Sequence, residues 1–306
     1  MASQKDVKNR IASVKNIQKI TRAMEMVAAA RLRRAEQRIE QLRPYARAIR
    51  RMTGRVIEAV ENIPSMPVLE EHDRENRVGL MLVTGDRGLA GPFNSQIIRA
   101  GNRRKAELEA EGKEVVWYAS GRRGVSSLQF RGFDVAGSYI GFTDRPAYAN
   151  AREIGDDLVT AYVDGELDRV ELIFNHYVSP LTQEVRVNTL LPLQQMAHLV
   201  TEAEEEAGGH EDDESDGDRS KASWLYEPEP EEILQRLIPD YVEITIFRAL
   251  LESTASEHGA RMTAMRNAQE NASEMIDDLT LEMNRQRQAE ITQEIMEVVA
   301  GAEGLT

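Results

Sequence analysis

The chain has 306 residues, with 38 Lys and Arg against 52 Asp and Glu and a formal net charge of −14. It contains no cysteine, which excludes disulfides, thiolate catalysis, iron–sulfur ligation and zinc sites built on cysteine. Aromatic residues make up only 5% of the chain, and the net acidity argues against a general nucleic-acid binder.

The charge is unevenly distributed along the chain. Residues 1–60 contain 15 Lys and Arg and 5 acidic residues, a charge of +10, so the remainder carries −24. Residues 202–218 hold ten acidic residues and no basic one, which predicts a solvated, flexible loop over 201–228.

No run approaches the roughly 20 apolar residues of a membrane span, and residues 1–19 lack a signal-peptide core. We therefore expect the chain to stay in the compartment where it is made.

Residues 1–62 have the period of a single long helix. Apolar or small residues recur at three- and four-residue steps, which predicts a helix on the order of 80 Å long. Pro44 is expected to bend it locally, because its ring removes one backbone hydrogen bond. The predicted seam is formed by Ile11, Val14, Gln18, Thr21, Met24, Ala28, Leu32, Ala35, Ile39, Leu42, Ala46, Ile49, Met52, Val56 and Val60.

The last 65 residues repeat this pattern from Val242 onward, broken only by Gly259 and with Gly301 as a stop signal, within a predicted C-terminal helix at 229–306. The residues in the middle of this second seam have small side chains, which allow close backbone approach but bury little area. Two long helices at the ends of one chain predict an antiparallel coiled coil. The second seam comprises Val242, Ile246, Ala249, Ser253, Glu257, Ala260, Ala264, Ala268, Ala272, Met275, Leu279, Met283, Gln286, Ile291, Ile295 and Val298.

The period changes in residues 77–200, which follow a linker at 63–76. Short apolar runs at 77–84, 114–119 and 169–176 alternate with helical patterns at 94–111 and 147–163. Alternation of strands and helices predicts a central, Rossmann-like βαβ domain with a parallel sheet. Residues 182–191 add an edge strand. The predicted fold class is therefore α/β plus a long antiparallel coiled coil formed by the N- and C-terminal helices.

The glycine-rich segment TGDRGLAGPFN, residues 84–94, lies between the first strand and the following helix, where phosphate-binding loops occur. Its glycines do not match G-x-G-x-x-G, and the Lys and Ser/Thr of a P-loop are absent. With Ser120, Gly121, Arg122 and Arg123 after the second strand, the segment leaves open an NADP-binding enzyme. The competing interpretation is that a tight turn needs these glycines whether or not a ligand binds.

Other catalytic or metal chemistry finds little support in the sequence. The five histidines lie in unrelated segments without metal-ligand spacing. Candidate serine nucleophiles lack an identifiable partner, and none lies in a G-x-S-x-G motif. We therefore predict no catalytic residue, no metal and no cofactor.

The first helix has a basic face, with eight arginines and only two acidic residues between Arg31 and Arg51. This face favours an anionic partner over a merely solvated surface. Nucleic acid fits less well, because no aromatic residues interleave for base stacking. A membrane surface, a calmodulin-like protein or an acidic protein remain alternatives.

Four segments resemble one family. Residues 11–36 (IASVKNIQKITRAMEMVAAARLRRAE), the glycine-rich segment, residues 224–230 (WLYEPEP) and residues 260–305 resemble the gamma subunit of the F-type ATP synthase. The resemblance spans the chain, with the motifs in the family's order. It implies a rotor shaft without catalytic residues that turns inside a hexamer of alpha and beta subunits. It also implies contacts with the epsilon subunit and the membrane c-ring, at the cytoplasmic face of a bacterial membrane, without a membrane span.

The resemblance also assigns roles to residues, position by position. Met24 and Glu25 match a helix segment near the catalytic levers of the beta subunits, and Glu25 is expected to pair with Arg22 or with a basic residue elsewhere on the shaft. Basic contacts with the beta subunits are implied for Arg31, Arg33 and Arg34. A polar contact with a beta-subunit loop is implied for Arg287 and Gln288. The alternatives are an NADP-dependent enzyme and a free-standing coiled-coil scaffold.

Overall fold

The computed structural model describes residues 4–59, 68–69, 72, 74–193 and 230–303. Along the chain, a long helix precedes and another follows an α/β region, so the predicted fold class is confirmed. In chain order, the elements are α1 (Gln4–Ala59), β1 (Arg77–Val83), α2 (Phe93–Ala110), β2 (Glu114–Ser120), α3 (Arg122–Phe130), β3 (Val135–Tyr139), α4 (Tyr148–Val163), β4 (Arg169–Tyr177), β5 (Gln183–Leu191) and α5 (Pro230–Glu303).

The chain divides into two compact units. The first unit contains Met1–Ala30 and Arg261–Thr306, and its described part consists of the corresponding stretches of α1 and α5. The second unit contains Arg31–Ala260 and includes the whole sheet. None of the helices in the described part of the chain has the length and apolar character needed to cross a membrane.

The sheet has five strands in the order β3-β2-β1-β4-β5. The first four strands are parallel, and β5 is the edge strand predicted at residues 182–191. It pairs antiparallel with β4, a direction that the sequence pattern did not predict. Alternate residues of β1 serve the two faces: Leu80 packs with α2 and α3, whereas Met81 packs with α4. The second face also receives apolar residues of α1 and α5, among them Ile49 and Ile246. The sheet is thus covered on both sides, as its parallel strands require.

Strand β3 and helix α3 were missed by the sequence pattern, which placed no element between residues 119 and 147. Strand β3 has the sequence VAGSY, which contains no continuous apolar run. Helix α3 is only nine residues long and includes a glycine and two serines, which lower helix propensity. Strand β3 forms nonetheless because it pairs along β2, and α3 because its apolar face packs on the sheet.

The predicted seam of α1 is confirmed from Ile11 to Ile49, where every seam residue is buried or half-buried. Met52 departs from it, with half of its surface exposed, and the side chains at positions 56 and 60 lie outside the described set. Helix α1 continues through Pro44. The helical period therefore identified the packed face correctly over about eleven turns, by the usual 3.6 residues per turn.

The seam of α5 is confirmed only in part. Its members from Val242 to Gln286 are buried or half-buried except Met275, which is 52% exposed because Ile276 takes the inner position. The last three members, Ile291, Ile295 and Val298, are exposed. An apolar period predicts which residues share a helix face, but it does not show that another surface covers that face.

The predicted domain boundaries remain predictions. The acidic loop at 201–228 and the WLYEPEP motif up to position 229 lie outside the described residues, as does most of the linker at 63–76.

The core contact of α4 gives a stability prediction. Leu158 is fully buried against the sheet, so Leu158→Ala should lower the free energy of unfolding by about 3 kcal/mol through lost burial and a cavity. Val163, on the same helix, is 44% exposed, and Val163→Ala should change it by less than about 0.5 kcal/mol. Urea unfolding of the full chain measures both. Equal effects of the two variants would contradict the packing of α4.

Candidate functional site: the helix-binding edge of the sheet

The candidate site lies at the carboxyl edge of the parallel strands. Strand β1 leads into the glycine-rich segment 84–94, β2 into Gly121, and β3 into residues 140–147. In open α/β sheets this edge is the usual position for a bound ligand. Here it receives a stretch of the chain's own helix α5.

That stretch is residues 251–260, LESTASEHGA, which we call the buried segment. All ten residues are buried, so the helix is enclosed on every side at this level. Six of the ten carry polar or charged side chains: Glu252, Ser253, Thr254, Ser256, Glu257 and His258. Buried polar groups are costly unless they are hydrogen-bonded, so the enclosing elements must supply partners.

The hydroxyl groups of the buried segment bond to the strands and loops around it. Thr254 donates to the carbonyl of Thr143, over 2.9 Å. The backbone N–H of Asn175, in β4, donates to Ser253 over 3.2 Å, and its carbonyl accepts from Ser256 over 3.3 Å. These bonds hold α5 against two separate elements of the sheet edge.

Glu252 is an acidic group of the buried segment with two partners. It accepts a hydrogen bond from Arg248 Nε over 2.7 Å and lies 2.6 Å from His176 Nδ1. Burial acts to raise the pKa of the Glu252 carboxyl, but the hydrogen bond with His176 and the charge of Arg248 hold that pKa below its ordinary value. Glu252 is therefore an anion that ties α5 to β4.

The glycine-rich segment binds a carboxylate of its own. Asp86 accepts hydrogen bonds from the backbone N–H of Arg122 at the start of α3, over 3.0 Å, and of Gly141, over 2.9 Å. It also accepts from both the N–H and the hydroxyl of Thr143. Partial burial acts to raise the pKa of Asp86, but these bonds lower it below its ordinary value. An anion thus occupies the N-terminus of α3, where a phosphate would otherwise bind.

The glycines of the turn are required by close packing. A Cβ at Gly85 would lie 2.7 Å from the Glu257 carboxylate, so a larger residue there would have to displace this buried group. Gly121 has a φ of 86°, and a Cβ there would lie 2.1 Å from the carbonyl oxygen of Thr84. A cavity of about 10 Å³ between Thr84 and Glu257 has room for one water. These contacts support the glycine-turn interpretation over the NADP interpretation.

A second set of contacts ties α1 to residues 141–147, which we call the junction segment. Arg31 forms an ion pair and hydrogen bond with Asp144, and Arg38 donates to the carbonyl of Pro146. Burial lowers the pKa of Arg38, and the positive charge of Arg145 lowers it further. The junction segment therefore contacts α1 as well as α5.

A further tie to α1 comes from the end of β4. The Tyr177 hydroxyl donates to Glu36, and burial together with this bond raises the pKa of the Tyr177 hydroxyl. Two elements of the sheet edge therefore hold α1.

The candidate residues taken from the family resemblance fall into two groups. Arg33, Arg34, Arg287 and Gln288 are exposed. Met24 is half-buried in the seam, and Arg31 is engaged by Asp144. Glu25 pairs with Arg266 of α5 over 2.9 Å, which confirms the expectation of a basic partner elsewhere on the shaft.

The residues that sequence reasoning missed are the acceptors at the sheet edge. Asp86 lies inside the recognised glycine-rich segment, and its carboxylate was a signal that the anion site could be filled internally. Asp144 follows β3, and Asn175 lies near the end of β4. Neither residue belongs to a recognisable sequence motif. Among the described residues, no three His, Asp or Glu cluster as metal ligands would.

Gly85→Ala tests the close approach of α5. The added methyl must displace the buried Glu257 carboxylate, so we expect a loss of about 1–3 kcal/mol in the free energy of unfolding. Gly155, within α4, offers a matched control, because a Cβ there meets its nearest atom at an ordinary 3.6 Å. Gly155→Ala should be neutral or stabilising by up to about 1 kcal/mol. A Gly85→Ala chain as stable as the Gly155→Ala chain would contradict this packing.

Asp86→Asn tests the internal anion. The pKa of Asp86 is lower in the folded chain than in the unfolded chain. Its carboxylate therefore stabilises the fold above the unfolded pKa, and this stabilisation is lost as the pH falls through the folded pKa. At neutral pH the variant should be less stable by about 1 kcal/mol, allowing for partial exposure. The difference should shrink below a pH of about 4. Urea unfolding across pH measures it, and a difference that grows in acid would contradict the assignment.

Comparisons with known proteins agree over the full length. The family model described as ATP synthase matches residues 3–305. The ATP synthase gamma chain of Rubrobacter xylanophilus is 44% identical, over 100% of this chain and 99% of its own. The gamma chain of Moorella thermoacetica is 43% identical over 100% of both chains.

Solved structures agree with these relatives. A chain in the central stalk and c-ring structure of the Tetrahymena thermophila mitochondrial ATP synthase is 26% identical, with a TM-score of 0.58 over 81% of this chain and 99% of that chain. A chain of the Euglena gracilis mitochondrial enzyme, 14% identical, shares the fold with a TM-score of 0.65 over 99% of this chain and 94% of that chain. The chain described here belongs to the family of ATP synthase gamma chains, the non-catalytic central-stalk subunits of the F-type enzyme.

Proposed function

We propose that this chain turns as the central shaft inside a hexamer of alpha and beta subunits. Rotation couples ion flow through the membrane sector to ATP synthesis or hydrolysis on the beta subunits. The observation that carries the proposal is the full-length match to gamma chains at 43–44% identity. The epsilon subunit and the membrane c-ring are the further partners, and the site of action is the cytoplasmic face of a bacterial membrane.

The exposed basic residues of α1 supply the contact with the beta subunits. Arg33 and Arg34 lie on the outer face of α1, whereas their neighbours Leu32 and Ala35 are buried in the seam. Two exposed guanidinium groups beside a tightly packed seam form a surface that fits acidic side chains on a surrounding subunit. Arg31 differs because it is paired with Asp144, so Arg33 and Arg34 make the outer contact.

The polar pair near the end of α5 supplies a second contact. Arg287 and Gln288 are exposed and follow the half-buried Gln286. A guanidinium and an amide on adjacent positions can hydrogen-bond a loop of one beta subunit at a time. Because only one beta subunit can face them in a given orientation, such contacts make otherwise equivalent catalytic sites adopt different conformations.

Reconstitution tests the function directly. The purified full chain should hydrolyse no ATP by itself, and adding alpha and beta subunits of a bacterial relative should give an active complex that contains the chain. ATP hydrolysis by the isolated chain at a rate comparable with that of the complex would contradict a non-catalytic role. Failure to enter the complex would contradict the shaft.

Charge reversal at Arg33 tests the contact. An exposed ion pair is worth roughly 0.2–1 kcal/mol and reversal adds a similar repulsion, so Arg33→Glu should weaken the contact by about 0.4–2 kcal/mol and thereby lower coupling. Coupling is the membrane potential generated per ATP hydrolysed in vesicles carrying the reconstituted enzyme. Assembly should change less, and Arg103→Glu, an equal charge change at an exposed position on α2, should leave coupling unaltered. Unchanged coupling in Arg33→Glu would contradict this contact.

A further inference from the structure

Asp144 holds a position in the second unit where three elements converge. Its carboxylate pairs with Arg31 of α1 and lies 3.5 Å from Arg87 Nη1 of the glycine-rich segment. The other carboxylate oxygen lies 3.9 Å from His258 Nε2, in the buried segment of α5. One side chain of the junction segment therefore faces both long helices and the turn that follows β1.

The residues beside Asp144 make the same connections through the backbone. The carbonyl of Thr143 accepts from Thr254 of α5, and the carbonyl of Pro146 accepts from Arg38 of α1. Asp86 accepts from Thr143 and so ties the junction segment back to β1. The segment is anchored to the sheet on one side and reaches both helices on the other.

The two helices are held differently at this level. Residues 251–260 of α5 are buried on all sides, so that helix is gripped by enclosure as well as by hydrogen bonds. Helix α1 is partly exposed, and its side chain Arg31 is 38% exposed where it meets Asp144. Apolar burial is non-directional, whereas charge-assisted hydrogen bonds have a defined geometry. The polar ties of α1 therefore add a directional resistance to twisting against the sheet, beyond the apolar contacts of Ala46 and Ile49.

We infer that Asp144 is the positioning residue that keeps α1 and α5 in a fixed orientation on the α/β region while torque acts. Torque is then transmitted between the two helices and the α/β region. This inference rests on the proposed function as a rotating shaft. Arg31 acts as its principal partner, which gives this arginine an internal role distinct from the exposed Arg33 and Arg34. The hydrogen bonds of Arg38 and Tyr177 also hold α1, but neither bond involves α5.

The first test removes the charge of Asp144 while keeping its shape. Asp144→Asn and the control Asp164→Asn, at an exposed position after α4, are each reconstituted with the partner subunits in vesicles. We expect Asp144→Asn to hydrolyse ATP but to generate less than half the wild-type membrane potential per ATP, and Asp164→Asn to match wild type. A folding or assembly defect lowers hydrolysis and potential together and leaves their ratio unchanged. A wild-type ratio in Asp144→Asn would overturn the inference.

A covalent link provides the second test. Because the chain has no cysteine, Arg31→Cys and Asp144→Cys together introduce the only two thiols, which a short bismaleimide can join. The unlinked double variant should couple poorly, and linking should restore coupling towards wild type. Poor coupling that persists after complete linking would overturn the inference. If the wild-type chain itself gave no coupled activity, the proposed shaft function would fail, whereas loss confined to the variants bears on Asp144.

Discussion

The burial of a polar stretch of helix α5 by the carboxyl edge of the sheet is the interaction on which the second unit depends. Residues 251–260 are all buried although six of them are polar or charged. Each buried polar group must find a partner, and the strands and loops around α5 provide them at Thr143, Asn175 and His176. Hydrogen bonds of this kind add a defined geometry to the apolar packing of the helix.

The same constraint explains the form of the glycine-rich turn. A Rossmann-like sheet presents backbone N–H groups and a helix N-terminus at this edge, which in enzymes of this architecture bind an anionic ligand. In this chain Asp86 is the anion, and Glu257 of α5 packs on Gly85. The edge therefore retains the geometry of a ligand site while serving as a docking surface for a helix. This use of the edge fits a subunit of the central stalk.

The long helices, the edge strand and their packed faces could be predicted because they follow from periodicity. The seam from Ile11 to Ile49 needed only the helical repeat, whereas β3 escaped because pairing along β2 stabilises a strand of small residues. The exposure of Ile295 and the burial of Glu252 could not be predicted, since both depend on which surface of the folded molecule covers that turn. The family resemblance identified Arg31 as a contact residue, but its pairing with Asp144 is a tertiary contact between residues 113 positions apart.

The proposed function requires the α/β region of this chain to rotate relative to the alpha and beta subunits. The most direct measurement fixes the alpha and beta subunits to a surface and follows a probe on the α/β region. A single thiol introduced as Glu109→Cys, at an exposed position on α2, can carry a bead in this cysteine-free chain. The account predicts continuous rotation of the bead in one direction while ATP is hydrolysed. Hydrolysis by the same complexes with only random fluctuation of the bead would contradict it.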